Sequence, residues 1–263
     1  MIATVLAEIN ESRIWQRPVD FCGMKFVPPT LDRWVALQAH RLKLMGAAEF
    51  KVLRTLVQPA SHIVDVGANQ GLYALPLSHQ AKEGRVYAFE PDPKLFATLE
   101  SNVQRNSAQN VILFNAAAAS RPSKLFLRPG RFNRGDNRIV HDENADSATI
   151  EVDAIPLDDA IADEHIDLLK IDVQGYETEV LQGAQKLLHA NQQLLICFEF
   201  WPHGLRLAGS GPEELLDLLR RAGFSLLRLD RNANLTPFTY APASWSRPDQ
   251  FGNLIATRNR SLI

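Results

Sequence analysis

The chain has 263 residues, an apolar content of 46% and a formal net charge of −2. This length and composition predict one large α/β domain with an N-terminal extension. The balanced charge and the lack of a basic block argue against nucleic acid or an anionic membrane as a partner. No apolar run approaches the ~20 residues that span a bilayer, and the N-terminus shows no signal-peptide pattern. The His and Cys residues show no zinc-ligand spacing, so no metal site is expected, and the sparse cysteines fit a cytoplasmic protein.

Residues 1–48 show little periodicity and are predicted to form an N-terminal extension that is partly helical. A first helix is expected to begin near Leu31. A second predicted helix, from Glu49 to Leu56, opens the larger domain over 49–263. These helices are expected either to pack on the edge of the sheet or to cover a ligand pocket.

A strand, a tight turn and a helix are predicted next. The β-branched run 63–66 is typical of a buried parallel strand. Gly67 and Gly71 follow on either side of Asn69, and apolar residues then recur at helical spacing over 72–77. Such a turn lets backbone amides approach a ligand at the positive end of a helix. The stretch therefore indicates a cofactor loop.

The next buried strand, 85–89, ends at Glu90. In nucleotide-binding α/β folds, an acidic residue about 20 positions beyond the loop accepts hydrogen bonds from ribose hydroxyls. The spacing therefore fits an adenosine cofactor. A dinucleotide fingerprint would need glycines where Asn69 and Leu72 stand. The pattern Asp-x-Gly-x-Asn-x-Gly over 65–71 instead resembles the nucleotide loop of S-adenosylmethionine-dependent methyltransferases.

The rest of the chain alternates helices and strands, which predicts parallel strands with crossover helices. A helix is predicted from Asp92-Pro93, and a polar, arginine-rich loop over 128–148 could bind an acidic or hydroxyl-rich substrate or simply be solvated. Further strands are predicted at 111–114, 150–155, 166–171, 194–200, 225–229 and 251–257, the last two as a closing antiparallel pair.

Polar residues fall at the predicted carboxyl ends of the strands. In open α/β sheets, ligands bind at this edge. The residues concerned are Asp65, Glu90, Asn115, Asp172 and Glu199. Each could be an ordinary turn residue, but five of them on one edge indicate a site.

Several of these segments together resemble the FkbM family of methyltransferases. They are 64–71, Phe89-Glu90-Pro91, 168–177 and 181–184, and the similarity runs from about Glu49 to about Thr257. The resemblance implies a class I methyltransferase, Rossmann-like fold with a seven-stranded, mostly parallel sheet, helices on both faces and an antiparallel last strand. It also implies S-adenosylmethionine as cofactor and O-methylation of a hydroxyl on a sugar, polyketide or similar small molecule or glycan. Gln174 stands where the family usually has Glu.

The resemblance also suggests a role for each candidate residue. Glu90, followed by Pro91, is expected to bind the ribose hydroxyls, and Asp172 should lie near the sulfonium and the incoming nucleophile. Other expected cofactor contacts are Gly67, Ala68, Asn69 and Gly71 for the methionine tail, Asp65 bracing that loop, and Asn115 and Ala116 beside the adenine.

The general base is open at this stage. His203 has a suitable intrinsic pKa near ~6.5, and Glu199 could orient it, although His203 could equally be an ordinary loop histidine. A divalent metal shared by Asp172 and Glu199 is not expected, because two carboxylates make an incomplete oxygen shell.

Two other functions remain compatible with the sequence: a non-catalytic methyltransferase-like binding module, which the neutral Gln174 would suit, and an NAD(P)-dependent oxidoreductase. The sequence does not identify the methyl acceptor or the oligomeric state.

Overall fold

A computed structural model describes residues 19–21, 24–27, 47–130, 134–141, 146–161 and 164–259. The helix predicted near Leu31 lies outside the described residues. Within the predicted extension, the structure has two short strands, β1 (Val19–Phe21) and β2 (Met24–Phe26), which pair antiparallel. The helix predicted from Glu49 is confirmed as α1 (Ala47–Leu56).

The remaining elements follow in chain order. The first group is β3 (Ile63–Val66), α2 (Ala74–Gln80), β4 (Val86–Phe89), α3 (Pro93–Arg105), β5 (Val111–Phe114), β6 (Ala117–Ala118), β7 (Ser123–Arg128), a 3-10 turn (Arg134–Asp136) and β8 (Arg138–Val140). The second group is β9 (Ile150–Ile155), α4 (Leu157–Ala160), β10 (Leu168–Ile171), α5 (Glu177–Gln182), α6 (Gln185–Ala190), β11 (Leu195–Phe200), α7 (Pro202–Leu207), α8 (Pro212–Arg221), β12 (Ser225–Leu229), β13 (Leu235–Pro237), a 3-10 turn (Pro242–Trp245) and β14 (Gly252–Thr257).

The central sheet has the strand order β13-β12-β14-β11-β10-β3-β4-β5. The neighbours from β11 to β5 pair in parallel, and β14 runs antiparallel to both β11 and β12. The antiparallel last strand is therefore confirmed. The described sheet has eight strands where seven were expected, because the chain turns back after β12 and adds β13 at the edge. The Asp230 carboxylate fixes that turn by accepting from the backbone amides of Asn232 and Asn234.

A second, four-stranded sheet has the order β6-β9-β7-β8. Strand β9 is confirmed, but the sequence does not predict β7 and β8, and β8 lies inside the predicted polar loop 128–148. Arg128 of β7 pairs with Arg138 of β8. Polar residues are common on edge strands, where they discourage further pairing, and they concealed this hairpin in the sequence.

Alternate residues of the central strands pack on opposite faces of the sheet. In β10, Leu168 joins a core with helices α1 to α3, and Leu169 joins the core with α5, α6 and α8. This confirms helices on both faces. Strands β3, β4 and β10 are buried throughout, as parallel strands between two helical layers must be. Among the described helices, none has the length and apolar character needed to cross a membrane.

Candidate active site

A cavity of about 1180 Å³ lies at the carboxyl ends of the parallel strands. It is larger than the roughly 300–1,000 Å³ of most ligand pockets. Of the predicted site residues, the ones lining it are Gly67, Ala68, Asn69, Glu90, Pro91, Ala116, Asp172 and Glu199. The structure thus brings the loop after β3, the end of β4 and the ends of β10 and β11 around one space.

Gly67 sets how closely two loops approach each other. Its φ is +81°, and a Cβ added there would lie 2.0 Å from the backbone oxygen of Asp172. Only glycine tolerates both this conformation and this contact. The amides of Gly67 and Ala68 both donate to the backbone oxygen of Phe89, at 3.0 and 2.9 Å. The loop after β3 is therefore held between the ends of β10 and β4.

The Glu90 carboxylate is buried in the cavity wall and held by two backbone amides. Its Oε2 accepts from the amide of Asn69 and its Oε1 from that of Asp92, both at 2.9 Å. Burial raises the pKa of Glu90 to about 8, although the two amides act in the opposite direction. The sequence prediction placed Asn69 at the methionine tail of the cofactor and Glu90 at its ribose. The backbone amide of Asn69 instead donates to Glu90, so the two residues lie side by side.

Three predicted residues support the cavity from behind its lining. Asp65 is buried below the loop, with its Oδ1 3.7 Å from Nζ of Lys170. Gly71 has a φ of +93° and leaves space for Leu99. The Asn115 amide nitrogen donates to the backbone oxygen of Glu90 at 2.9 Å, which fixes the turn after β4.

Gln174 joins the two carboxylates at the ends of β10 and β11. Its Nε2 donates to Oδ1 of Asp172 at 3.0 Å and to Oε2 of Glu199 at 2.9 Å. The residue has a φ of +54°, so the backbone turns sharply to aim the amide between them. Burial, followed by the negative charge of Asp172, raises the pKa of Glu199 well above its ordinary value.

Lys170 is a functional candidate that the sequence interpretation missed. Its Nζ is buried 3.7 Å from Oδ1 of Asp65, 3.6 Å from Oδ2 of Asp172 and 4.3 Å from the centre of the Tyr73 ring. Burial alone would lower its pKa, but the carboxylates of Asp172, Asp65 and Glu49 outweigh burial and raise it. A single lysine within an otherwise apolar buried strand was the available signal.

Helix α1 packs against the sheet and also forms one wall of the cavity, so the two positions expected for it are not alternatives. Its Glu49 carboxylate accepts hydrogen bonds from the Tyr73 hydroxyl at 3.0 Å and from the Asn253 amide at 2.7 Å. The buried thiol of Cys197 donates to Glu49 at 3.4 Å. Burial raises the pKa of Glu49. This network fastens α1 to the sheet, and no local sequence pattern predicts it.

His203 does not line the cavity. It lies in the first turn of α7, with its ring 5.9 Å from that of Trp201. The Glu199 oxygen that was expected to orient it instead accepts from Gln174. Within the described ranges, no group of three or more His, Cys, Asp or Glu side chains is placed to hold a metal ion.

Residues 135–139, in the turn before β8 and at the start of that strand, form another part of the cavity wall. Two neighbouring side chains there reach different sides of the cavity. The Asn137 amide donates to Oδ2 of Asp92 at 3.0 Å, near the Glu90 turn. The Arg138 guanidinium lies 5.1 Å from the centre of the Trp201 ring, just beyond the Glu199 strand. The start of β8 therefore contacts both the Glu90 side and the Glu199 side of the cavity.

The strand order and the position of the cavity define a class I S-adenosylmethionine-dependent methyltransferase fold. A solved structure from Clostridium thermocellum, described as an rRNA methylase, shares this fold with a TM-score of 0.50 and 12% identity, covering 82% of this chain and 97% of that one. At this identity the likeness concerns the fold alone.

The sequence profile of the methyltransferase FkbM domain matches residues 65–226, and the chain belongs to this family. Its cofactor is accordingly S-adenosylmethionine. The methyltransferase sdnD of Sordaria araneosa is 28% identical over 74% of this chain and 81% of its own length. The hexuronic acid methyltransferase AglP of Haloferax volcanii is 26% identical over 70% and 74%. Family membership decides against the oxidoreductase alternative.

Proposed function

We propose that the protein transfers the methyl group of S-adenosylmethionine to a hydroxyl oxygen of a small molecule or glycan. The observation that carries this proposal is the pair Asp172 and Glu199, bridged by Gln174, in the same cavity as the Glu90 turn. A carboxylate that can take a proton then lies in the same space as the cofactor-binding loop.

The cofactor fits the residues that line this space. Glu90 has an oxygen lone pair left on each side after its two backbone hydrogen bonds, and the ribose hydroxyls can donate to these. Gly67, Ala68 and Asn69 place backbone and small side chains beside the ligand, and Pro91 and Ala116 border the adenine side. When bound, the cofactor supplies a methyl group on a positively charged sulfur.

Deprotonation of the acceptor falls to Glu199 in this proposal. An alcohol needs a base close to its hydroxyl as the new bond forms. Burial raises the pKa of Glu199, so its carboxylate is a stronger base than an exposed one. Gln174 holds Glu199 beside Asp172, which orients the acceptor hydroxyl. His203, the earlier candidate base, lies outside the cavity lining.

Two observations support a hydroxyl-bearing small molecule or glycan as the acceptor. The cavity volume of about 1180 Å³ leaves room for an acceptor beside the cofactor. AglP is named a hexuronic acid methyltransferase, and the nucleophilic atoms of a hexuronic acid are oxygens. We therefore propose oxygen as the methylated atom and a sugar or comparable polyol as the first acceptor to examine.

The test is methyl transfer by purified protein to a panel of sugars, sugar acids and polyketide alcohols, with S-adenosylhomocysteine as the measured product. We expect turnover with at least one acceptor, and loss of that turnover in Glu199→Gln and Asp172→Asn. Glu213→Gln, at an exposed carboxylate of α8, is the matched control. Cofactor binding without any transfer would favour the non-catalytic binding module, and no cofactor binding would refute the assignment of the site.

A further inference from the structure

Arg138 lines the cavity and forms no ion pair with an acidic side chain of the described residues. Its side chain is half-buried and lines the cavity at the start of β8. Its described side-chain contact is with the Trp201 ring, and no carboxylate among the described residues forms an ion pair with it. A guanidinium carries five N–H donors in a planar fork and stays charged at all physiological pH values.

Both halves of this contact are fixed in place. The Trp201 indole nitrogen donates to the backbone oxygen of Pro248 at 2.6 Å. The ring packs against Gly204, where an added Cβ would lie 2.0 Å from the nearest ring atom. On the other side, the backbone of Arg138 is paired with that of Arg128 in the second sheet. The ring and the backbone that carries Arg138 are therefore both held, and the half-buried guanidinium lies against a fixed aromatic surface.

The other cations around the cavity are placed differently. Lys170 is buried and lies between the carboxylates of Asp65 and Asp172. Lys51 and Arg54 are exposed on helix α1. Arg138 thus differs from all three, because it is half-buried at the cavity wall without an opposite charge from the described residues.

The position of Trp201 relates this guanidinium to the reaction. Trp201 follows Glu199 by two positions at the end of β11, and both line the cavity. We propose that Arg138, stacked on Trp201, binds an anionic group of the methyl acceptor, a carboxylate or a phosphate, and so presents a neighbouring hydroxyl to Glu199. This inference rests on the proposed function, since it names the acceptor's chemical class.

Charge explains why an anionic acceptor needs such a site. The carboxylates of Asp172 and Glu199 repel a second anion, and a neutral acceptor covering Arg138 would bury the guanidinium unpaired, which is costly. A carboxylate or phosphate can instead accept two parallel hydrogen bonds from the guanidinium fork. Arg138 should therefore favour acidic over neutral acceptors of the same shape.

The test measures binding to the full chain saturated with S-adenosylhomocysteine. The probes are methyl glucoside, methyl glucuronide and glucose 6-phosphate, titrated by calorimetry. We expect the better of the two anionic probes to bind about tenfold or more tightly than the neutral one. Arg138→Gln should abolish this preference without weakening the neutral probe, and Arg138→Lys should restore part of it. Arg105→Gln, at an exposed arginine of α3, should leave it intact.

The two anionic probes distinguish a carboxylate from a phosphate as the group that is bound. Three results would overturn the inference. They are a preference for anionic probes that persists in Arg138→Gln, equal affinities for all three probes, and no binding of the anionic probes. Unchanged cofactor affinity and melting temperature in Arg138→Gln show that the variant is folded. Failure of the proposed function appears separately, as absent methyl transfer in a protein that still prefers anions.

Discussion

The backbone amide of Asn69 donates directly to the carboxylate of Glu90, over 2.9 Å. The sequence interpretation gave these residues to different parts of the cofactor, the methionine tail and the ribose. The structure instead shows that the loop after β3 aims the carboxylate, together with the amide of Asp92. The loop and the carboxylate therefore form one structural unit, so a change in the loop should alter the position of Glu90.

Replacing Glu90 by Gln should weaken S-adenosylmethionine binding by about tenfold, since a buried hydrogen-bonding group left without its partner costs roughly 1–3 kcal/mol. The glutamine oxygen can accept from one backbone amide, but its NH₂ group would face the other. Calorimetry measures the affinity. Glu83→Gln, at an exposed carboxylate, is the control, and equal affinities in the two variants would contradict the ribose assignment.

Glu90 should also make folding stability depend on pH. Its pKa is raised by burial from 4.5 to about 8 in the folded protein. Between these values the unfolded chain releases the proton while the folded protein keeps it. The contribution of Glu90 to folding stability is therefore fully present below pH 4.5, and it is lost as the pH rises to about 8.

Urea unfolding at about pH 5 and about pH 8 measures this loss. Glu49 and Glu177 are also buried with raised pKa values, so they add to the same trend. The informative quantity is the difference between proteins: wild type should lose more stability over this range than Glu90→Gln. If wild type and Glu90→Gln lost the same amount of folding stability, the pKa of Glu90 would not be raised in the folded protein.

Gly67→Ala should destabilise the fold and reduce cofactor affinity. The new Cβ would lie 2.0 Å from the Asp172 backbone oxygen in a conformation with φ of +81°, and such backbone strain alone costs about 1–3 kcal/mol. Urea unfolding and calorimetry measure the two effects. Gly211→Ala is the matched control, since its Cβ would meet nothing nearer than 3.7 Å. If Gly67→Ala left both folding stability and cofactor affinity unchanged, the close contact between this loop and Asp172 would not be important.

Much of the central fold could be predicted because its evidence is local. Each parallel strand is a short apolar run followed by a turn, and the polar residues at those turns, such as Glu90 and Asp172, mark the edge where the cavity lies. The same rule placed Glu199 correctly at the cavity.

What escaped prediction depends on contacts between distant parts of the chain. Glu49 on α1 bonds to Asn253 on β14, and neither residue stands in a recognisable motif. His203 has a suitable intrinsic pKa, but α7 begins at Pro202 and the residue does not line the cavity. Strand β8 has only three residues, Arg138–Val140, and follows the polar residues 133–137, so the whole segment resembles a loop in sequence.

Lys170→Met should cost about 3–5 kcal/mol of folding stability, the usual effect of removing one partner from a buried ion pair. The Asp65 carboxylate would then lie buried without a cation. The cost should shrink at low pH, where carboxylates are neutral and need no partner. Urea unfolding at two pH values checks this, with Lys186→Met, at an exposed lysine, as control. An equal cost at both pH values would contradict a charge-based role.

Gln174→Glu should shift the pH dependence of methyl transfer towards higher pH. The variant restores the acidic residue usual in the family but places a third carboxylate within hydrogen-bonding distance of Asp172 and Glu199. Like charges favour the protonated forms, so the pKa of Glu199 should rise further. Turnover at neutral pH should fall by about tenfold, as for a shift of one pKa unit, and recover in more alkaline buffer.

The measurement is kcat against pH, together with KM for the cofactor, which should change little because Glu90 is untouched. Gln182→Glu is the matched control: its amide also donates to a carboxylate, that of Glu214 at 3.3 Å, but at the exposed surface of α5. That variant should keep the wild-type profile. If the two variants gave the same profile, Gln174 would have no part in setting the basicity of Glu199; a shift confined to Gln174→Glu would show that the amide keeps Glu199 able to accept the acceptor's proton.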